Sequence, residues 1–248
     1  MRSTLLALMM FFATPHGQQT ISASFPPAPS GCTLPPVTSD WLASNSCSTG
    51  AACMNDAVGG NNATQSVSGD VPTYSASGTF SHPYLTFNGS TDFLNLGTGI
   101  PHTNTTYSFL VVGNFASVST GAYVIAGVSL SLGYRINPNQ QLALAGSTVT
   151  ATGTASYSTS TKYALVATIN TSTNAYTFSK LSGGSVTADG SGTASALPYS
   201  VNITTIGVGG TASAYLAAAT PEIIYYNGVW TGGNLTTAAA YVACRYSI

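Results

Sequence analysis

The chain has 248 residues, of which 44% are hydrophobic and only 4% are charged, whereas an average soluble domain is roughly 25% charged. Five Lys and Arg stand against six Asp and Glu, too few and too scattered for the basic surface that nucleic-acid binding requires. Carboxylates for a glycosidase pair or a calcium cage are equally scarce, so solubility depends on 67 Ser and Thr and on 15 Asn.

The N-terminal residues 1–19 contain one Arg, an apolar run over 5–13 and then polar residues. This pattern is typical of a secretory signal peptide. The apolar run is too short to span a membrane, which takes about 20 apolar residues. The alternative is an apolar tail that docks on a partner subunit. A Pro- and Ser-rich stretch from about residue 18 to 36 predicts an extended arm. We therefore expect a tail or signal peptide with an arm over 1–35, and one domain over 36–248.

Four cysteines allow three disulfide pairings. Cys47 and Cys53 share a loop rich in Ser, Gly and Ala, so a local bridge between them is feasible. Cys32 and Cys244 would then tie the two ends of the chain together. Free or intermolecular thiols are the alternative, and the spacings match no zinc pattern.

Strand signals dominate the sequence from residue 83 onward. Residues 41–78 are predicted to be loop-rich, but from residue 83 onward short β-prone runs alternate with turn residues. The Thr-, Ser- and Ala-rich stretch over 147–161 favours a solvent-facing edge strand. About ten runs at this spacing predict an antiparallel sandwich or barrel; they lie at 84–87, 93–96, 107–115, 122–128, 132–136, 141–145, 163–170, 175–181, 201–208 and 222–226.

The C-terminal residues have a different pattern. An alanine run and apolar periodicity over 238–245 predict a short terminal helix. Asn234 or Thr236 is the expected N-cap, because a short polar side chain there accepts a hydrogen bond from the first turn.

Several weak motifs stand in a recognisable order along residues 36–248. They are Trp41-Leu42-Ala43, Asn55-Asp56 before Gly59-Gly60-Asn61-Asn62, Leu85-Thr86-Phe87-Asn88-Gly89 with Asp92-Phe93-Leu94, and Pro221-Glu222-Ile223-Ile224-Tyr225-Tyr226-Asn227 before Ala240-Tyr241. This order resembles the concanavalin A-like, laminin-G-like jelly-roll domain of bacteriophage virion proteins and bacterial surface proteins. Two departures are Cys53-Met54, where an aromatic residue is usual, and a terminal helix in which Arg245 is the only charge.

The resemblance implies an all-β, two-sheet antiparallel jelly-roll sandwich with a short C-terminal helix and an extended N-terminal arm. Glycosidases of this fold carry an E-x-D-x-x-E strand, which the sequence lacks. Glu222, the only Glu, has no second carboxylate close to it in sequence. We therefore expect no enzymatic activity and no catalytic residue.

Asp56 and Asp92 are the acids best placed for a metal, since each lies beside a loop of Asn and Gly. Short polar side chains in such loops more often hold turns through their own backbone, and calcium takes roughly six to eight oxygens. We therefore expect both to be structural, and the protein to need no cofactor; calcium is the poorly supplied alternative.

Sugar binding is the small-molecule role that the residue types favour, because it uses aromatic faces with amides and guanidinium groups. Tyr134, Arg135 and Asn137 form one candidate group, and Trp230 in a Gly- and Thr-rich loop is another. The alternative is that Tyr134 and Trp230 pack in the interior.

Two functions follow as hypotheses. The main one is a non-enzymatic virion structural protein, such as a capsid decoration, head-fibre or tail-associated protein. Its N-terminal arm would contact copies of itself and other virion proteins, and its jelly roll would be exposed on the particle surface, where it adheres to glycans. The alternative is a secreted, extracellular carbohydrate-binding or adhesive module of a cell surface. Neither hypothesis includes a nucleic-acid partner or a membrane span.

Overall fold

A computed structural model describes residues 31–44, 52–100, 106–116, 122–127, 133–136, 139, 141–145, 149–194, 202–209 and 214–248. The predicted N-terminal tail and nearly all of the arm lie outside these residues. The described part contains no helix with the length and apolar character needed to cross a membrane.

Sixteen strands and one helix make up the described fold, and every described strand pair is antiparallel. The elements are β1 (Ser39–Ser44), β2 (Cys53–Asp56), β3 (Ala63–Thr64), β4 (Thr73–Ser75), β5 (Tyr84–Asn88), β6 (Leu94–Ile100), β7 (Thr106–Phe115), β8 (Ala122–Gly127), β9 (Gly133–Ile136), β10 (Leu142–Ala145), β11 (Val149–Thr152), β12 (Lys162–Asn170), β13 (Ala175–Ser182), β14 (Ser185–Thr193), β15 (Ile203–Ile206), β16 (Ala217–Tyr226) and α1 (Gly232–Tyr246).

The hydrogen-bonded path runs β11-β10-β9-β8-β15-β6-β3-β2-β1-β16-β7-β12-β13-β14, while β5 pairs with β16 and β4. Residues from both halves of this path meet in one core. Val124 and Leu142 from one half cluster with Trp41 and Phe109 from the other. The sheet therefore faces itself across this core, which confirms the all-β sandwich predicted from the sequence.

Strand β7 is buried on both faces, because the sandwich covers one face and the helix covers the other. Its residues Tyr107, Phe109 and Val111 lie in the sandwich core, whereas Leu110 and Val112 lie in a second core with Ala238, Tyr241 and Val242 of α1 and other residues. A strand covered on both sides reads as a continuous apolar run rather than an alternating one. That property made it easy to predict from sequence.

Four short strands, β1 to β4, interrupt the stretch over 41–78 that was predicted to be loop-rich, and β1 begins two residues before it. All six residues of β1 are buried, between β2 on one side and β16 on the other. Small and polar side chains give these short strands little β propensity of their own. Pairing with β16 supplies the order that local sequence does not.

The terminal helix begins earlier than expected. Thr231 is the N-cap and makes no side-chain capping bond. Asn234 and Thr236, the expected caps, lie inside the first turns, and the Thr236 hydroxyl donates to the carbonyl of Gly232. The helix is stabilised by the apolar face that it buries on the sheet, and a cap is not required.

A disulfide joins Cys32 to Cys244, with 5.7 Å between the Cα atoms. Leu34 and Val37, which follow Cys32, pack against the second core. Cys53 is also disulfide-bonded, while Cys47, its expected partner, lies outside the described residues. The disulfide between Cys32 and Cys244 therefore joins the start of the domain to its terminal helix.

Replacing both Cys32 and Cys244 by Ser is expected to lower the free energy of unfolding by about 2–5 kcal/mol, because the bridge restricts a very long loop of the unfolded chain. Urea unfolding measures the change. Thr236→Ser, on the exposed side of the same helix, is the control and should leave the midpoint unmoved. A double variant as stable as the parent would contradict the clamping role of the bridge.

Candidate functional site: an aromatic loop cluster

Trp230, one of the predicted sugar contacts, is a core residue. It is 1% exposed, its backbone N–H donates to the Ser108 hydroxyl at 2.9 Å, and its indole Nε1 donates to the carbonyl of Pro36. Its ring stacks on Tyr226 with centroids 6.4 Å apart. Trp230 therefore has no face free for a ligand. This agrees with the alternative interpretation, in which Trp230 packs in the interior.

Of the other predicted sugar contacts, the structure describes two of three. Tyr134 and Arg135 lie in β9, opposite Leu144 and Ala143 of β10. Asn137 lies outside the described residues. Their role in sugar binding stays a prediction.

Asp56 holds a turn. Its Oδ1 accepts the N–H of Asp40 at 3.0 Å, of Val58 at 3.1 Å and of Gly59 at 2.8 Å, and its Oδ2 accepts the N–H of Asn61 at 3.1 Å. The carboxylate lies so close to Gly59 that a Cβ there would be 2.6 Å from Oδ2. These four backbone donors occupy both oxygens, so the turn itself accounts for Asp56.

Asp92 ends a second organised turn. Its Oδ2 accepts the N–H of Asn88 at 3.0 Å. Asn88 Oδ1 in turn accepts the N–H groups of Ser90, Thr91 and Asp92, and Asn88 Nδ2 donates to the Thr91 hydroxyl at 2.9 Å. Burial raises the pKa of Asp92, and the negative charge of Asp70 adds to the effect. Within the described part, no three His, Cys, Asp or Glu side chains gather as a metal site would need.

Three loops meet at this turn. The Thr91 hydroxyl donates to the carbonyl of Gly69 at 3.2 Å, and the N–H of Phe93 donates to the carbonyl of Asp70 at 3.0 Å. The ring of Phe93 lies 6.5 Å from that of Tyr215, tilted by 57°. Phe93, Tyr215 and Asp70 are all half-exposed. We call Asp70, Asn88, Thr91, Phe93 and Tyr215 the aromatic loop cluster.

Glycines allow these loops to approach each other. Gly207 has φ +89°, and a Cβ there would lie 2.6 Å from the ring of Phe87. Its carbonyl accepts the N–H of Leu216 at 2.7 Å, and the carbonyl of Leu216 accepts the N–H of Gly89 at 2.9 Å. Any side chain at Gly207 would push this segment away from β5 and separate Tyr215 from Phe93.

An open groove lies over the β12–β13 hairpin. Its volume is about 230 Å³, and it is lined by Thr168, Asn170, Tyr176, Thr177 and Val229 among others. The hydroxyls of Thr168 and Thr177 bond to each other. Tyr176 packs against the sandwich core with its ring 5.2 Å from that of Phe178. The groove has one half-exposed ring, that of Tyr176, whereas the aromatic loop cluster has two.

Two acidic side chains lie together beneath α1. Asp40 of β1 and Glu222 of β16 belong to paired strands, in which Leu42 faces Glu222 and Asp40 faces Ile224. Burial, and then the charge of Glu222, raise the pKa of Asp40 to about 10. Asp40 therefore keeps its proton at neutral pH. The sequence did not reveal Asp40 as a carboxyl neighbour of Glu222, because the two are far apart along the chain and only the pairing of β1 with β16 brings them together.

Glu222 links the sheet to the terminal helix. Its Oε1 accepts the hydroxyl of Tyr241 at 2.7 Å, and its Oε2 lies 3.9 Å from Nε of Arg245. Arg245 Nε donates to the hydroxyl of Tyr246 at 3.0 Å. Glu222 is 0% exposed, so this ion pair lies wholly in the interface between the helix and the sheet.

No known protein-family model matches the sequence, and no curated protein matches it. Solved structures do match the fold. A Trypanosoma rangeli sialidase in complex with 2,3-difluoro-KDN is similar, with a TM-score of 0.54 and 15% identity over 91% of this chain and 35% of the sialidase. A mutant GH54 α-L-arabinofuranosidase soaked with 4-nitrophenyl α-L-arabinofuranoside has a TM-score of 0.54 and 12% identity over 87% of this chain and 60% of the enzyme.

The Ruminococcus gnavus IT-sialidase CBM40 bound to α2,3-sialyllactose matches with a TM-score of 0.47 and 9% identity, over 63% of this chain and 95% of that one. A likeness at that score is too weak to support an inference. The chain spans about a third of the sialidase. At these identities the likeness shows a shared all-β sandwich.

The expectation that the protein is not an enzyme is contradicted by these comparisons. The sialidase and the arabinofuranosidase that share its fold are both enzymes, so a sandwich of this shape does not argue against one. The bacteriophage context of the sequence resemblance has no counterpart among these three structures.

Asp56→Ala is expected to lower the free energy of unfolding by about 2–4 kcal/mol, because four backbone N–H groups lose a charged acceptor. Thermal or urea unfolding measures the loss. Asp70→Ala removes the same group from a half-exposed position and should cost less than about 0.5 kcal/mol. Equal effects of the two substitutions would contradict the turn-holding role of Asp56.

Stability is expected to fall as the pH rises from 5 to 9, because folded Asp40 keeps a proton that the unfolded chain has lost. The pKa of Asp40 is about 10 in the folded protein, against 3.8 as the ordinary value. The free energy of unfolding should therefore fall by at most about 1.4 kcal/mol per pH unit in this window. Unfolding midpoints at several pH values measure the slope.

Asp40→Asn should flatten this slope and raise stability most at the alkaline end, because the amide cannot ionise. Asp70→Asn is the matched control and should keep the slope of the parent. The lowered pKa of His82 acts in the opposite direction near pH 6, but it is common to all three proteins and cancels in the comparison. An Asp40→Asn slope equal to that of the parent would refute the assignment.

Proposed function

We propose that the chain is a carbohydrate-binding domain whose ligand contacts the aromatic loop cluster. The observation that carries the proposal is the half-exposed pair of Phe93 and Tyr215, 6.5 Å apart, on loops that are fixed to one another by backbone hydrogen bonds. Binding residues commonly lie on loops that a rigid scaffold positions.

The cluster offers the chemistry that a sugar ring requires. A pyranose or furanose presents C–H faces, which pack on aromatic rings, and hydroxyl edges, which need donors and acceptors. Phe93 and Tyr215 supply the rings. The Tyr215 hydroxyl, the exposed Ser90 and the half-exposed Asp70 supply polar groups around them.

The structural neighbours support the same class of ligand. One sialidase structure that shares the fold is described as a complex with sialic acid, at a TM-score of 0.55 and 15% identity over 36% of that chain. The arabinofuranosidase mutant was soaked with an arabinofuranoside. Both ligands are sugars, although neither protein is similar enough to transfer its own ligand or reaction to this chain.

The proposed setting is extracellular. The bridge between Cys32 and Cys244 and the disulfide of Cys53 favour an oxidising environment, in which such bonds persist. The proposal therefore follows the secreted, carbohydrate-binding alternative in preference to the virion hypothesis. The arm through which a virion protein would contact its partners lies almost entirely outside the described residues.

Tyr215→Ala and Phe93→Ala are each expected to weaken glycan binding at least about tenfold, because each removes one stacking face of the site. Isothermal titration against the best ligand of an oligosaccharide array measures the change. Tyr163→Ala is the control, since Tyr163 is also half-exposed but is the second residue of β12, away from the cluster. The proposal fails if the parent binds no glycan, or if all three variants bind as the parent does.

A further inference from the structure

We infer that the ligand of the aromatic loop cluster is an uncharged glycan, and that the carboxylate of Asp70 selects against acidic sugars. This inference rests on the proposed function and narrows it. It differs from the ligand of the sialidase structure that is a complex with sialic acid, since sialic acid is an anionic sugar.

Both charged groups of the cluster region are carboxyl groups. Asp70 is half-exposed. Its backbone carbonyl accepts the N–H of Phe93, which places it beside that residue. Asp92, 5% exposed, lies on the neighbouring turn, close enough for the charge of Asp70 to act on it. An acidic sugar bound over Phe93 and Tyr215 would therefore meet a like charge.

The cations of the described part belong to other elements of the fold. Arg135 lies in β9 and Lys180 in β13. Lys162 Nζ lies 5.4 Å above the ring of Phe80, and Arg245 is buried beneath α1, where it faces Glu222. None of these four cations belongs to the loops of the cluster. Recognition of a sugar carboxylate typically uses the paired donors of an arginine.

A neutral sugar suits the same groups. An ionised carboxylate accepts hydrogen bonds through both oxygens, and neighbouring sugar hydroxyls are donors with the spacing to fill them. The loop of Asp70 also holds Gln65, which is 3% exposed. Gln65 Oε1 accepts the N–H of Ser66 and of Val67, and its buried Nε2 has no hydrogen-bond partner in the described structure.

The test is an array of neutral oligosaccharides, including arabinose- and galactose-terminated ones, with sialylated or uronic-acid counterparts of the same scaffolds. The parent is expected to bind neutral members at least about fivefold more tightly than their acidic counterparts. This preference should shrink as salt is raised, because screening weakens the repulsion. Binding of the neutral members should hardly depend on salt.

Two variants separate local charge from net charge. Asp70→Asn should weaken neutral binding about three- to tenfold and reduce the preference over acidic members, because it removes the ionised acceptor. Ser185→Lys makes the same change in net charge at an exposed position on β14, and should change neither value.

The outcomes distinguish this inference from the proposed function. Tighter binding of acidic members would overturn the inference and leave the carbohydrate-binding function standing. Neutral binding that Asp70→Asn leaves unchanged would also overturn the inference, because Asp70 would then not face the ligand. Absence of binding to every member would overturn the proposed function itself.

Discussion

Five of the six carboxyl groups lie inside the protein, and the fold depends on how they are satisfied. A buried carboxylate without donors costs several kcal/mol. Asp189 of β14 accepts backbone N–H groups of Thr154 and Ala155 and the hydroxyl of Tyr157, which ties the stretch after β11 to the far edge of the sheet. Glu222 ties β16 to α1 through Tyr241. The few charges of the chain therefore act as internal cross-links between elements distant in sequence.

This use of the acids determines the character of the surface. With Asp40, Asp56, Asp92, Asp189 and Glu222 inside, Asp70 is the one acidic side chain that is partly exposed. A surface of Ser, Thr and Asn produces a weak electrostatic field, so a single carboxylate beside an aromatic pair dominates its surroundings. The low charge content thus sharpens the selectivity proposed for the cluster, because no dense field of other charges competes with Asp70.

The sequence predicted the elements whose structure follows from their own residue types. Strands β7, β12 and β13 are rich in aliphatic and aromatic residues, and α1 contains an alanine run, so their residue types fixed their structure. Strands β1 to β4 and β14 consist largely of small and polar residues. Long-range pairing with β16 orders β1, pairing with β5 orders β4, and a tight hairpin with β13 orders β14. The turn that ends at Asp92 was predicted from its Asn-Gly pair. The sequence did not identify Phe93 and Tyr215 as site residues, because only the folded chain brings them together.

The aromatic pair is arranged before any ligand arrives. The three loops are joined by main-chain hydrogen bonds through Asp70, Gly89 and Gly207, which do not depend on side chains at the binding surface. Loops fixed in this way lose little conformational freedom on binding, so more of the contact energy is available as affinity. The same arrangement means that substitutions of Phe93, Tyr215 or Asp70 test ligand contact, whereas substitution of Gly207 would test the scaffold. A Gly207→Ala protein that folds but binds weakly would show that the spacing of the rings, beyond their presence, determines recognition.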